Sequence, residues 1–392
     1  MLTAVVLLLA GVGAWVVIAD DAGPTADRVR TGSSTTAAPS DPTAASEAAA
    51  PSTTAAPSDP AAASEPVAAP PTTPTTPARE PVLGNGQTVT IAFGGDTNFD
   101  GSNAARVASD PSSILAGVAP VLSGADLAVV NMETAIGVGG TPAPKEFTFQ
   151  APPAALEAYR SAGVDVVSAA NNHGMDYGVE SLRETLQAEI DSGFPIIGIG
   201  ANETEAYAPL IADIRGQRVA VVAATQVLDG SLSDAWTATP TQPGLASAKR
   251  VDRLVRAVSE ARAQADTVVV FLHWGVERET CPTGDQQSLA QTLVDAGADI
   301  VVGGHAHRLQ GGGRLGNAVV HYGLGNFAFG TRTAEAARTG VFVVTITGRR
   351  VDGYQWLPGR ISDRRPFLLG GGDAHSELAY WDGLRKCTNL TP

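Results

Sequence analysis

Six short polar clusters hold the residues that could do chemistry, and each follows an apolar run. FGGD ends in Asp96, and VVNMET carries Asn131 and Glu133. SAANNHGMDYG carries Asn171, Asn172, His173 and Asp176. FLHWG carries His273, VVGGHAHRLQG carries His305 and His307, and HYGLGNF carries His321 and Asn326. Imidazole, carboxylate and amide together suit borderline divalent ions such as Zn²⁺, Mn²⁺ or Fe²⁺. A carboxylate can bridge two ions, and His-x-His on an extended turn can address both. Two ions about 3.5–4 Å apart can activate water and hold both oxygens of an in-line displacement. Singly, each cluster is weak: a strand-end Asp is often a cap, and a lone His is often a core residue. Their joint order along one chain carries the weight.

The elements that must position these groups are legible from periodicity. Apolar runs at 89–93, 126–130, 164–169, 195–199, 218–224, 267–272, 299–303 and 318–322 read as buried strands. Residues 178–190, 251–261 and 286–296 read as helices, and 341–347 with 353–357 as a late antiparallel pair. The result is an α/β domain of roughly 300 residues. In such sheets ligands bind outside the carboxyl ends of the strands, where the polar clusters fall.

The series GGD, NMET, ANNHGMDYG, LHWGVE, GGHAHRLQ and YGLGNF resembles the signature of the CapA/PgsA family of poly-γ-glutamate capsule-synthesis proteins. These are similar in turn to calcineurin-like metallophosphoesterases. The resemblance spans about residues 88–330. It implies a four-layer αββα sandwich, two sheets flanked by helices, around a site for two divalent ions (Mn, Zn or Fe). By position it implies metal ligation by Asp96, Glu133, Asn172, His273, His305 and His307, with Glu133 bridging. His173 matches the residue that protonates the leaving group. Phosphoesterases carry Asp-x-His on the first strand, whereas here Asn98 follows Asp96 at that spacing. The first ion position therefore has fewer obvious ligands, unless Asn98 lends an oxygen. Asn98, Asn131, Trp274 and Arg308 are expected near substrate, and Lys145 with Arg308 is a candidate partner for an anionic group.

Two functions follow from this pattern. One is a metal-dependent hydrolase acting on an envelope polymer or a phosphoester. The other is a non-catalytic surface component that binds polymer or partners in capsule assembly, its metal serving structure. The expected partners are an anionic envelope polymer or capsule precursor and the membrane capsule-synthesis machinery. The net charge of −14 argues against nucleic acid, which needs clustered Lys and Arg.

The N-terminal quarter has a different character. Residues 2–18 form an apolar run whose rise reaches roughly 26 Å, enough to span a bilayer. We read 1–20 as a membrane anchor, with a cleaved signal peptide as the rival, and expect the folded domain to face the outside of the cell membrane. Residues 21–81 repeat Ala, Pro, Ser and Thr, with PSDP copied twice, and read as a disordered stalk. The domain proper is expected over 82–392. Two cysteines, Cys281 and Cys387, are in the exported part, where a disulfide can form; spacing alone leaves free thiols equally open.

Overall fold

The structure is a computed structural model and describes residues 85–392. The apolar run at 2–18 and the stalk at 21–81 lie outside the described residues. Among the described residues no helix is long and apolar enough to cross a membrane.

Leaving short helices and two-stranded pairings aside, the chain begins with β1 (Thr88–Thr97), β2 (Leu127–Met132), β3 (Val166–Ser168), α1 (Gly178–Ser192) and β4 (Ile196–Ile197). It continues through β5 (Leu210–Ile214), β6 (Gln217–Thr225), α2 (Val251–Arg262), β7 (Thr267–Trp274), α3 (Gly284–Asp295), β8 (Ile300–His305), β9 (Gly312–Leu315) and β10 (Ala318–His321). It closes with β11 (Asn326–Ala328), β12 (Arg338–Thr347), β13 (Arg350–Ser362), β14 (Arg365–Leu368) and α4 (Gly371–Leu384).

These strands make an eight-stranded and a six-stranded sheet. The first runs β14-β13-β12-β1-β2-β3-β4, with β11 also pairing β1. Its β1-β2-β3-β4 half is parallel, and β12, β13 and β14 form an antiparallel flank. The second runs β9-β10-β8-β7-β6-β5, with β6, β7, β8 and β10 parallel.

Side-chain alternation along the central strands explains the layering. Ile91 and Phe93 of β1 pack with Val221 of β6, Phe271 of β7 and Val302 of β8, so these faces meet between the sheets. Their neighbours point the other way. Ala92, Val130 and Val167 pack with Leu182 of α1 outside the first sheet. Val222, Val270 and Val301 pack with Leu254 and Val258 of α2 and Leu289 and Leu293 of α3 outside the second. Strands buried on both faces need continuous apolar runs, which is why 218–224 and 267–272 show no alternation of polarity. The order is helix, sheet, sheet, helix, the four-layer sandwich that the resemblance implies.

Cys281 and Cys387 form a disulfide, with Cα atoms 5.7 Å apart across a sequence separation of 106 residues. It ties the chain after α4 to the loop between β7 and α3. Beyond the expected elements, the structure adds β5, β9, β11, β14 and α4. The first four are short, and α4 carries no strong apolar stripe.

Candidate metal centre

The parallel strands of both sheets end on one rim, and the polar clusters sit there. Asp96 closes β1, Glu133 follows β2, and Asn172 and His173 follow β3. From the second sheet, His273 lies near the end of β7, His305 ends β8, and His307 lies two residues on. The two rims are stitched together by the backbone N–H of His305, which donates to Asp96 Oδ2 at 2.9 Å. Gly304 permits this approach, because a Cβ there would stand 2.2 Å from Asp96 Oδ1. His305 and His307 hold positive φ values of 86° and 50°. Such backbone is costly for a residue with a Cβ and persists where the surroundings dictate it.

Two groups of donor atoms share one residue. Glu133, His273 and His305 place one donor atom each within 4.8 Å of one another, and so do Asp96, Glu133 and His307. Glu133 Oε1 lies 3.4 Å from His273 Nε2 and 3.7 Å from His307 Nε2. Asn172 Oδ1 lies 2.7 Å from His273 Nε2, which is also 3.1 Å from His305 Nδ1. His307 Nδ1 is 3.4 Å from Asp96 Oδ2.

Electrostatics show what this arrangement can hold. Glu133 is fully buried, and neither of its oxygens has a hydrogen-bond partner. A bare buried carboxylate costs several kcal/mol unless a cation compensates it. Burial, reinforced by the charge of Asp96 and opposed by His307, pushes Glu133 up to about 8. For His307, burial disfavours the charged ring, but Glu133 and Asp96 outweigh it and hold the pKa at about 9. Asp96 is held down at about 2: burial opposes ionisation, and the hydrogen bond from His307 with the His273 and His307 charges overcomes it. Burial keeps His273 neutral, its pKa at about 3, and drives His305 well below its ordinary value. The neutral imidazoles of His273 and His305, with His307 and the carboxylates of Asp96 and Glu133, form a donor set that divalent ions satisfy.

His173 stands beside this pair of positions. Its Nδ1 is 2.6 Å from Asp176 Oδ2, and its Nε2 is 4.0 Å from Glu133 Oε1. Asp176 also pairs with Lys145 Nζ at 2.9 Å. Lys145 Nζ in addition donates to the Asn172 carbonyl at 2.5 Å, so this lysine braces the loop.

The residues expected at substrate divide. Asn98 lines a cleft of about 470 Å³ that opens beside His307, with Phe149, Phe329, Glu277, Arg278, Arg332 and Arg364 among its walls. Asn131 is fully buried: its Nδ2 donates to Asp96 Oδ1 at 2.8 Å and lies 3.1 Å from His273 Nδ1. It touches the ligands and is out of substrate's reach. Trp274 is fully buried in the second sheet's outer core, and its Nε1 donates to the Tyr322 carbonyl at 2.7 Å. Strand alternation turns it away from the rim that His273 faces. Arg308 bonds the neighbouring His307 carbonyl at 2.8 Å and does not line the cleft. His321 packs between Phe342, Trp356 and Trp381 as a core residue, and His375 is exposed.

Asn171 and Asn326 stand in the polar clusters without an assigned role in the sequence, and Phe149 and Phe329 are not marked there at all; the structure gives each a place. Asn171 donates to Asn131 Oδ1 and to the Met132 carbonyl, and its Oδ1 accepts from the His173 N–H. Asn326 Oδ1 lies 2.8 Å from His307 Nδ1. Phe149 stands 4.4 Å from the His173 ring and Phe329 4.8 Å from that of His307, centre to centre. The three-residue step from His173 to Asp176 was a usable signal. The phenylalanines gave none.

A four-layer sandwich with a two-position His/carboxylate site at the strand ends defines a metallophosphoesterase-like class of domain. Within it, the chain belongs to the family described as bacterial capsule synthesis protein PGA_cap, whose model matches residues 90–331. It is 36% identical over 189 residues to the capsule biosynthesis protein CapA of Bacillus anthracis, covering 46% of this chain and 45% of that one. It is 32% identical over 231 residues to the PGA biosynthesis protein CapA of Bacillus subtilis (strain 168), covering 57% of this chain and 60% of the relative. The matches thus span about half the length of these relatives. Among solved structures, a hypothetical protein from Thermus thermophilus aligns over 70% of this chain and 100% of that chain, at 17% identity and a TM-score of 0.44.

Proposed function

We propose that this domain is a divalent-metal-dependent hydrolase of capsule synthesis, acting on a phosphoester or a γ-glutamyl amide of an anionic envelope polymer. The observation that carries the reading is Glu133: buried, without a hydrogen bond to either oxygen, and common to both donor groups. Asp96, Glu133 and His307 would hold one ion, and Glu133, Asn172, His273 and His305 the other. When bound, the ions supply Lewis acidity and lower the pKa of water. The chain's own residues do the rest. Asp176 accepts from Nδ1 of His173 and orients the ring, so that Nε2 can pass a proton to the leaving group. Phe149 and Phe329 wall the site and limit water around the reacting bond. The N-terminal run would tether the domain outside the cell membrane, beside the capsule-synthesis machinery.

The test is hydrolysis of phosphodiester and γ-glutamyl substrates by the full-length protein, with and without added Mn²⁺ or Zn²⁺. We expect metal-dependent cleavage that His173→Ala reduces while ion content is kept. Cleavage untouched by His173→Ala rules out this mechanism. A second reading, a non-catalytic polymer-binding component, draws support from the single imidazole at the first ion position. It predicts bound metal and polymer without turnover.

A further inference from the structure

We propose that Asn98 lends its Oδ1 to the first ion position, which makes that position harder, richer in oxygen and weaker than the second. This rests on the metal-centre reading above and adds to it an unequal pair of sites. Asn98 is 1% exposed and lies one residue past the end of β1, beyond Asp96. Its backbone is secured, the N–H donating to the Ala328 carbonyl at 2.9 Å. Its side chain is not: Oδ1 is buried with no hydrogen-bond partner. A buried amide oxygen without a partner costs free energy that only a donor or a cation returns. Asn98 shares its cleft with His307, one of the ligands of the first group.

The donor counts then differ. The first position collects oxygen from Asp96, Asn98 and Glu133 and one nitrogen from His307. The second collects oxygen from Glu133 and Asn172 and nitrogen from His273 and His305. Carboxylate and carbonyl oxygens suit Mn²⁺ and Mg²⁺, whereas imidazole favours Zn²⁺ and its neighbours. Exchanging an imidazole for an amide oxygen therefore costs Zn²⁺ more than it costs Mn²⁺. The chain is built to hold one zinc-like ion firmly and a more exchangeable, harder ion beside it.

The experiment is calorimetric titration of chelator-stripped, full-length protein with Zn²⁺ and separately with Mn²⁺, together with elemental analysis after desalting. Wild type should show one tight Zn²⁺ step and one weak one. Asn98→His should tighten the weak Zn²⁺ step by at least the roughly 10–100-fold that outer contacts alone can alter metal affinity, and the Mn²⁺ step by less. Asn98→Ala should weaken the weak step for both ions and leave the tight step alone, with an unchanged metal-free melting temperature. Two equal Zn²⁺ steps in wild type overturn the proposal. So does an Asn98→Ala titration identical to wild type, which would assign the amide to substrate. His273→Ala separates the two readings: loss of the tight step there upholds the metal centre whatever Asn98 does. Absence of any binding in wild type removes both.

Discussion

At the scale of single residues, the centre depends on one carboxylate that belongs to both donor groups. Glu133→Gln keeps the shape and removes the charge, so we expect elemental analysis to show loss of both ions. Retention of two ions would falsify the bridging assignment. Gly304→Ala should act more selectively, because its Cβ would collide with Asp96 Oδ1 and displace the first group. His173→Ala should leave ion content intact and lower turnover by about 10²–10⁴-fold, the usual contribution of a positioned general acid. Asn131 is the instructive case. Its place between Asp96 and His273 makes it an orienting residue, which explains why an amide is placed where no substrate can reach.

At the scale of elements, the loop between β7 and α3 carries Glu277 and Arg278 to the cleft and is tied by the Cys281–Cys387 disulfide to the chain after α4. Gln310 Nε2 also donates to the Glu279 carbonyl at 3.1 Å, and the Arg278 N–H to the Ala306 carbonyl at 2.8 Å, so hydrogen bonds restrain the loop as well. Replacing both cysteines with serine should lower unfolding free energy by about 4–5 kcal/mol in the chain-entropy description of so long a loop. Denaturant melts would record this as a lower midpoint, with a somewhat steeper slope because the freed unfolded chain exposes more surface. Trp274, at the start of the same loop, is a core residue. Its replacement by Ala should cost about 3–5 kcal/mol of stability without altering the KM of any substrate found.

At the scale of the whole molecule, His321 links the sheets to α4 and sets an acid limit. Burial, with the charge of Arg385, holds its pKa at about 3, while the unfolded chain titrates near 6.5. Its Nε2 accepts from Trp381 Nε1 at 2.9 Å, which fixes the neutral ring. Because the unfolded state binds the proton first, the stabilisation is complete above about pH 6.5 and is lost progressively as pH falls toward 3. His321→Gln should flatten that acid limb of the stability curve, by on the order of a few kcal/mol at its foot. Thermal melts of metal-free protein between pH 3 and 7 would show it; an unchanged slope would mean that other groups dominate.

The sequence by itself determined the buried strands, because strands covered on both faces must be continuous apolar runs, and it placed the polar clusters at their ends. It also announced the family, through motifs whose order survives along the chain. What it could not determine was which side of each strand faces the site. His273 and Trp274 are adjacent, yet one meets the carboxylates and the other enters the core, since neighbouring side chains leave a strand on opposite faces. His321 ends a strand without the context of the other clusters, and only the packing of α4 shows that it is enclosed in the core. The disulfide, the enclosing phenylalanines and the pairing of Asp176 with Lys145 likewise join residues far apart in sequence. Only tertiary structure decides such contacts, because they depend on how two sheets and their helices stack, a long-range outcome that no local pattern encodes.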